Sequence, residues 1–191
     1  MRRGAKQATP QLRVIGGQWR GRKLQFPDRP GLRPTGDRIR ETLFNWLGPH
    51  LRNARCLDLF AGSGALGIEA LSRGAAHCDF VDSDREAITS VDHHLNTLDA
   101  TECSTVRCDI AAHYLHQTHG TWDIVFVDPP FDARLGESTL TLLADSARLA
   151  EASRVYFETS RSQPEPVPEG LYDVLREKTT GDVCYRLLST R

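Results

Sequence analysis

Between residues 56 and 160, short apolar runs alternate with longer amphipathic stretches. "CLDLF" (56–60), "CDFVD" (78–82), "STVRCD" (104–109), "DIVFVD" (123–128) and "SRVYFETS" (153–160) have the length and residue types of strands. The intervening segments 64–74, 83–98, 110–118 and 136–149 read as helices, the first closed by Gly74. Repeated strand–helix units predict an α/β fold with a mostly parallel sheet and helices on both faces. After a Pro/Glu loop, "QPEPVPEG" (163–170), the stretch 172–189 reads as two strands around Thr180-Gly181-Asp182. That pair adds an antiparallel hairpin at one sheet edge. Ahead of the repeating part, "LRVIGG" (12–17) and "RKLQF" (22–26) suggest a small β-hairpin. A loop rich in proline follows. A helix then begins near Thr35 to Asp37, with Ile39, Leu43, Phe44 and Leu47 on one face. Residues 1–11 are basic and aperiodic, as in a flexible arm. The expected organisation is therefore an arm (1–11), a hairpin and loop (12–34) and a main domain (35–191).

Four clusters within this pattern carry candidate chemistry. In "LDLFAGSGALG" (57–67), Gly62, Gly64 and Gly67 fit G-x-G-x-x-G between a strand and a helix. Such glycines allow a sharp turn and close approach of a ligand. A dinucleotide pyrophosphate on the helix N-terminus is one reading. Asp58, aimed at the same crevice, suits a cationic group such as an ammonium better. Asp82 ends the next strand at the spacing at which a carboxylate accepts from ribose hydroxyls, so it points to an adenosine-type ligand. Asp84 reads as a helix N-cap. Asp109 ends the third strand and is either an acceptor for an adenine amino group or another N-cap. Asp128-Pro129-Pro130-Phe131 follows the fourth strand. Proline stiffens the turn, the carboxylate and carbonyls supply acceptors, and the ring offers a stacking face. Together they suit the exocyclic amine of a nucleobase; the plainer alternative is a strand ended by prolines.

Composition narrows the class. The chain has 191 residues, 39% hydrophobic and 26% charged, as in a globular protein. No apolar run is long enough to span a bilayer, and "MRRGAKQATPQLR" lacks the apolar core of a secretory signal, so a cytoplasmic location is expected without membrane association. The five cysteines form no CxxC pair and read as reduced thiols. His113, His116 and His119 would fan around a short helix end, so no metal site is expected. The net charge of −1 conceals a polarity. Residues 1–55 hold 13 Lys/Arg against three acids, leaving 11 bases and 22 acids beyond. The basic part either faces a polyanion or neutralises the acidic body.

"DLFAGSGALGIEAL" with "FVDPPF" resembles the class I S-adenosylmethionine-dependent methyltransferases that modify exocyclic amines. "RVIGGQWRGRKL", "GLRPTGDRIRETLFNWL" and "EKTTGDVCYRLL" sharpen the likeness to the RsmD family of bacterial 16S rRNA (guanine-N2)-methyltransferases, over about Leu12 to Leu188. The resemblance implies a seven-stranded Rossmann-like sheet preceded by a β-hairpin. It implies that S-adenosylmethionine meets Asp58, Phe60, Ala61, Gly62, Gly64 and Gly67, with Asp82 at the ribose and Asp109 at the adenine. Asp128, Pro129, Pro130 and Phe131 would form the catalytic motif. Arg20, Arg22, Lys23, Arg33, Arg38 and Arg40 would hold RNA phosphates. The implied partner is 16S rRNA within the 30S subunit or an assembly intermediate, met by a monomer. Modification of another RNA or of adenine in DNA, nicotinamide-dependent redox chemistry, and non-catalytic RNA binding remain the alternatives.

Overall fold

The computed structural model describes residues 11–26 and 35–191. Residues 1–10 of the expected arm and residues 27–34 of the loop before the first helix, with Arg33, lie outside the described residues, while Gln11 belongs to a strand. Two short strands, β1 (Gln11–Arg13) and β2 (Lys23–Gln25), pair antiparallel with Leu12 opposite Leu24. Helix α1 (Asp37–Leu51) follows. The alternating part then contributes β3 (Arg55–Asp58), α2 (Ala65–Ser72), β4 (His77–Asp82), α3 (Arg85–Thr97), β5 (Ser104–Cys108), α4 (Ala111–Gln117), β6 (Trp122–Val127), α5 (Gly136–Asp145) and β7 (Leu149–Ser160). Strands β8 (Tyr172–Thr180) and β9 (Val183–Thr190) close the chain.

The large sheet has seven strands in the order β5-β4-β3-β6-β7-β9-β8. Only β9 runs against the other six strands, pairing antiparallel with β7 and with β8 in the edge hairpin expected from the closing segment. Chain order runs outward from β3 through β4 to β5, then returns to place β6 on the other side of β3. This reversal is a topological switch point. Helices leaving β3 and β6 diverge there, and a crevice opens beyond the carboxyl ends of the strands.

Alternation along each strand sorts the apolar residues into two cores. Cys56, Phe126 and Tyr156 face one core together with α1, α2, α3 and the N-terminal hairpin. Leu57, Val125, Val127 and Phe157 face the other, with Leu115 of α4 and Leu140 and Leu143 of α5. The hairpin is thus packed into the body: Leu12, Val14, Leu24 and Phe26 are all buried. Polar clasps complete the docking. The Ser72 hydroxyl donates to the Gly16 carbonyl, the Trp19 N–H donates to that hydroxyl, and the Gln18 N–H donates to the Ser72 carbonyl. Gly17 sits at φ +74° directly against that carbonyl, where a Cβ would come within 1.8 Å of the oxygen. Only glycine fits such a contact.

A buried ion network underlies this docking and corrects one expectation. Arg40 was grouped with the phosphate-binding arginines. Its side chain is 1% exposed and faces inward. The guanidinium donates to the Thr35 and Arg13 carbonyls, to Asp37 (2.6 Å) and to Glu69 (3.4 Å). Glu69, fully buried on α2, also accepts from the Ile15 and Gly16 N–H groups and from Arg73. Arg40 is therefore a structural tie between hairpin, α1 and α2, with no face left for RNA. Its charge is compensated by acids from two helices.

Candidate functional site

Three carboxylates continue the face of the sheet on which α1 lies. Asp58 is the last residue of β3, Asp128 follows β6, and Glu158 lies in β7. They line one cavity of about 820 Å³ at the switch point, together with Asp82, Phe60 and Phe131. That volume suits a nucleoside-sized ligand and part of a second one. Its lining among the described residues contains acids and no Lys or Arg.

Asp58 is 2% exposed, and one carboxylate oxygen accepts from the Gly67 N–H at 3.0 Å. Burial pushes its carboxyl up to about 7, against the pull of that N–H, and the Asp128 and Asp82 carboxylates push the same way. Its second oxygen has no partner among the described residues. Such a group calls for a cation or a donor from a ligand. Asp82 is oriented by two backbone amides, from Gly62 and Asp84, each at 2.8 Å. Each carboxylate oxygen still has a lone pair for a ligand hydroxyl. Asp84 caps α3 by accepting from the Glu86 N–H, as its position suggested.

The glycines divide their work. Gly62, at φ +51°, lines the cavity. Gly64 takes φ +76° at the start of α2, and its N–H donates to the Ala61 carbonyl. Gly67 faces the sheet, where a Cβ would lie 2.2 Å from the Phe80 ring. Gly64 and Gly67 shape the turn and let α2 approach β4; only Gly62 of the three forms cavity wall. Phe60 and Ala61 line the wall beside it. Asp109 does not. Its carboxylate accepts from the Ile110 N–H and meets the His113 ring at 2.8 Å, and α4 begins without a side-chain cap. His113 in turn contacts Gln117.

Asp128 projects into the cavity and accepts from the Thr35 hydroxyl at 3.0 Å. Burial raises its carboxyl to about 6, the Thr35 bond opposing. Pro129, Pro130 and Phe131 complete this wall, and a short 3-10 turn spans Phe131–Ala133. Glu158 lies beside Asp128 and is 4% exposed; the Tyr156 hydroxyl donates to one of its oxygens. Burial, then the neighbouring Asp128 charge, pushes its carboxyl well above the usual range. Thr35 and Glu158 were not singled out in the sequence. Thr35 reaches Asp128 across 93 residues, so it left no local signal. Glu158 left one: an acid inside a strand-length apolar run, "VYFET".

Of the basic residues, Arg20, Arg22, Lys23 and Arg38 are exposed. The Asp182 turn, from the "TTGDV" segment, reaches the cavity rim and is pinned to Ser160 and Ser162.

A doubly wound sheet preceded by a docked hairpin, with an acid-lined cavity at its switch point that holds no cation among the described residues, defines a Rossmann-like methyltransferase architecture. A profile of the family described as "Conserved hypothetical protein 95" matches residues 12–189, and the chain belongs to that family. It is 47% identical to the ribosomal RNA small subunit methyltransferase D of Escherichia coli strain K12, over 98% of this chain and 94% of that protein. A putative rRNA methyltransferase of Bacillus subtilis is 39% identical over 89% of this chain and 94% of its own length. Among solved structures, a putative methyltransferase from Escherichia coli superposes with a TM-score of 0.87 at 45% identity, covering 95% of this chain and 98% of that one.

Proposed function

We propose that this protein transfers a methyl group from S-adenosylmethionine to the exocyclic N2 of a guanine in small-subunit ribosomal RNA, the base numbered 966. The observation that carries this reading is the juxtaposition of Asp128-Pro129-Pro130-Phe131 with Asp58 and Asp82 in one cavity whose described lining has no cation. A dinucleotide pyrophosphate would meet acids there. An ammonium and a sulfonium would meet compensating charge, so the residues fit S-adenosylmethionine and argue against a nicotinamide cofactor.

Bound S-adenosylmethionine supplies an electrophilic methyl group: its carbon–sulfur bond breaks as the nitrogen–carbon bond forms, and the electron pair leaves with S-adenosylhomocysteine. The chain supplies position and a proton acceptor. Asp58 meets the amino-acid end, and Asp82, fixed by two amides, meets the ribose. Asp128, oriented by Thr35, accepts a hydrogen bond from the guanine N2 and takes its proton as the new bond forms. Phe131 stacks on the base, which must leave its own stack to reach this depth. Alignment of the amine with the methyl group, rather than covalent catalysis, accounts for the acceleration.

Arg20, Arg22, Lys23 and Arg38 lie outside the cavity and hold RNA phosphates; Arg33 joins them from outside the described residues. The substrate is a 30S subunit or an assembly intermediate in the cytoplasm, engaged by a monomer. No helix among the described residues is long and apolar enough to cross a membrane. Asp128→Ala tests the reading. Methyl transfer to undermodified 30S subunits falls by at least about a hundredfold, while S-adenosylmethionine binding by calorimetry persists. Wild-type turnover in this variant would remove Asp128 from the mechanism.

A further inference from the structure

Glu158 keeps one carboxylate oxygen without a donor among the described residues. It is 4% exposed, lines the cavity, and donors among the described residues satisfy only the oxygen that Tyr156 reaches. Strand register sets its direction. β6 and β7 run parallel with Val127 opposite Phe157, so Asp128 and Glu158 are the next pair along the same register. Paired residues of adjacent parallel strands project on the same face, roughly 5 Å apart. The cores confirm the face: Phe126 and Tyr156, two residues earlier on each strand, share one core. Two carboxylates, Glu158 buried and Asp128 half-buried, thus stand side by side at the Phe131 wall. Neither faces a cation among the described lining residues, an arrangement that is costly unless donors enter between them.

We propose that Glu158 is the guanine-selecting residue of this site, accepting the base's N1–H while Asp128 accepts from N2. This inference rests on the functional reading above. On its Watson–Crick edge guanine carries an amino group beside a ring N–H, two adjacent donors. Adenine and cytosine place a ring acceptor beside their amino group. The two donors of guanine favour the ionised form of Glu158, and that carboxylate opposes the lone pair that adenine and cytosine present. The Tyr156 hydroxyl holds the Glu158 carboxylate so that its free oxygen is directed to the base. The DPPF wall suits an amine; Glu158 adds the neighbouring atom that distinguishes which base carries it.

The test uses 30S subunits reconstituted around 16S rRNA ligated with guanine or with 2-aminopurine at the target position. 2-Aminopurine keeps the amino group to be methylated but has an acceptor at N1. Wild-type protein prefers guanine by at least about a hundredfold in kcat/KM, because a site built around a donor rejects the analogue lacking it. Glu158→Gln can turn its amide N–H toward the N1 acceptor. In that variant guanine transfer falls, and the guanine to 2-aminopurine ratio drops at least about tenfold. Glu158→Asp keeps the preference at a lower rate. Where turnover is too slow, competition of the two subunits for protein saturated with S-adenosylhomocysteine gives the same ratio. An unchanged ratio in Glu158→Gln, by rate or by competition, overturns the inference, whatever the loss of overall activity. If wild-type protein that binds S-adenosylmethionine methylates neither subunit, the functional reading itself fails and takes the inference with it.

Discussion

Asp58 ties the chemistry of a single residue to pH. Its carboxyl is raised to about 7 by burial, against an unfolded value near 4. A group raised in this way stabilises the free protein below pH about 4, and that contribution is lost as pH rises to about 7. A cationic ligand favours the ionised form. Binding of S-adenosylmethionine therefore releases a proton within this window, and affinity rises with pH until it levels off above about 7. Calorimetry in buffers of different ionisation enthalpy should record that release near pH 6 and little of it at about pH 8. Affinity that stays flat across this range would remove Asp58 from the cofactor contact. With Asp128 as the proposed proton acceptor, its carboxyl, raised to about 6, should add a second pH dependence to turnover, since only the ionised form can accept the N2 proton.

At the scale of elements, the N-terminal hairpin, α1 and α2 behave as one clamp. Glu69, itself fully buried, gathers Arg40, Arg73 and two hairpin amides. Removing one member of a buried pair leaves the other charge uncompensated, at a cost of about 3–5 kcal/mol. Glu69→Ala should lower stability in urea by that order. Protection of the Ile15 and Gly16 amides from hydrogen exchange should fall by more than in the central strands. Equal loss everywhere would mean that the hairpin does not depend on this clasp. The clamp also reaches the site: Arg40 holds the Thr35 carbonyl, and the Thr35 hydroxyl holds Asp128. Docking of the hairpin thus reaches Thr35, the residue that orients the Asp128 carboxylate.

Over the whole molecule, the cavity collects acids, while four exposed bases, Arg20, Arg22, Lys23 and Arg38, lie on and beside the hairpin. Phosphate contacts release counterions, so each one lost should lower the salt slope of RNA binding by about 0.7–0.9. The triple variant Arg20→Ala, Arg22→Ala, Lys23→Ala should weaken binding to 30S subunits at low salt and flatten that slope by about 2–3. Its affinity for S-adenosylmethionine should stay unchanged. An unchanged slope would relocate the RNA face.

The sequence by itself determined the strand–helix alternation, the edge hairpin and the residues of the "DPPF" and glycine motifs. These signals are local: period, turn chemistry and spacing survive in a few consecutive residues. The reading of Arg40 failed because its partners Glu69 and Arg13 lie 29 and 27 residues away, and a helix-start arginine looks exposed until they are in place. The glycines of one motif separated into a cavity wall, a helix turn and a packing contact only once α2 lay on β4. Glu158 beside Asp128 is the clearest case. Each carboxylate is visible in its own strand, but parallel pairing of β6 with β7 decided that they share a face and a cavity. Register is a long-range property, fixed by which faces bury together, and no short stretch of sequence contains it.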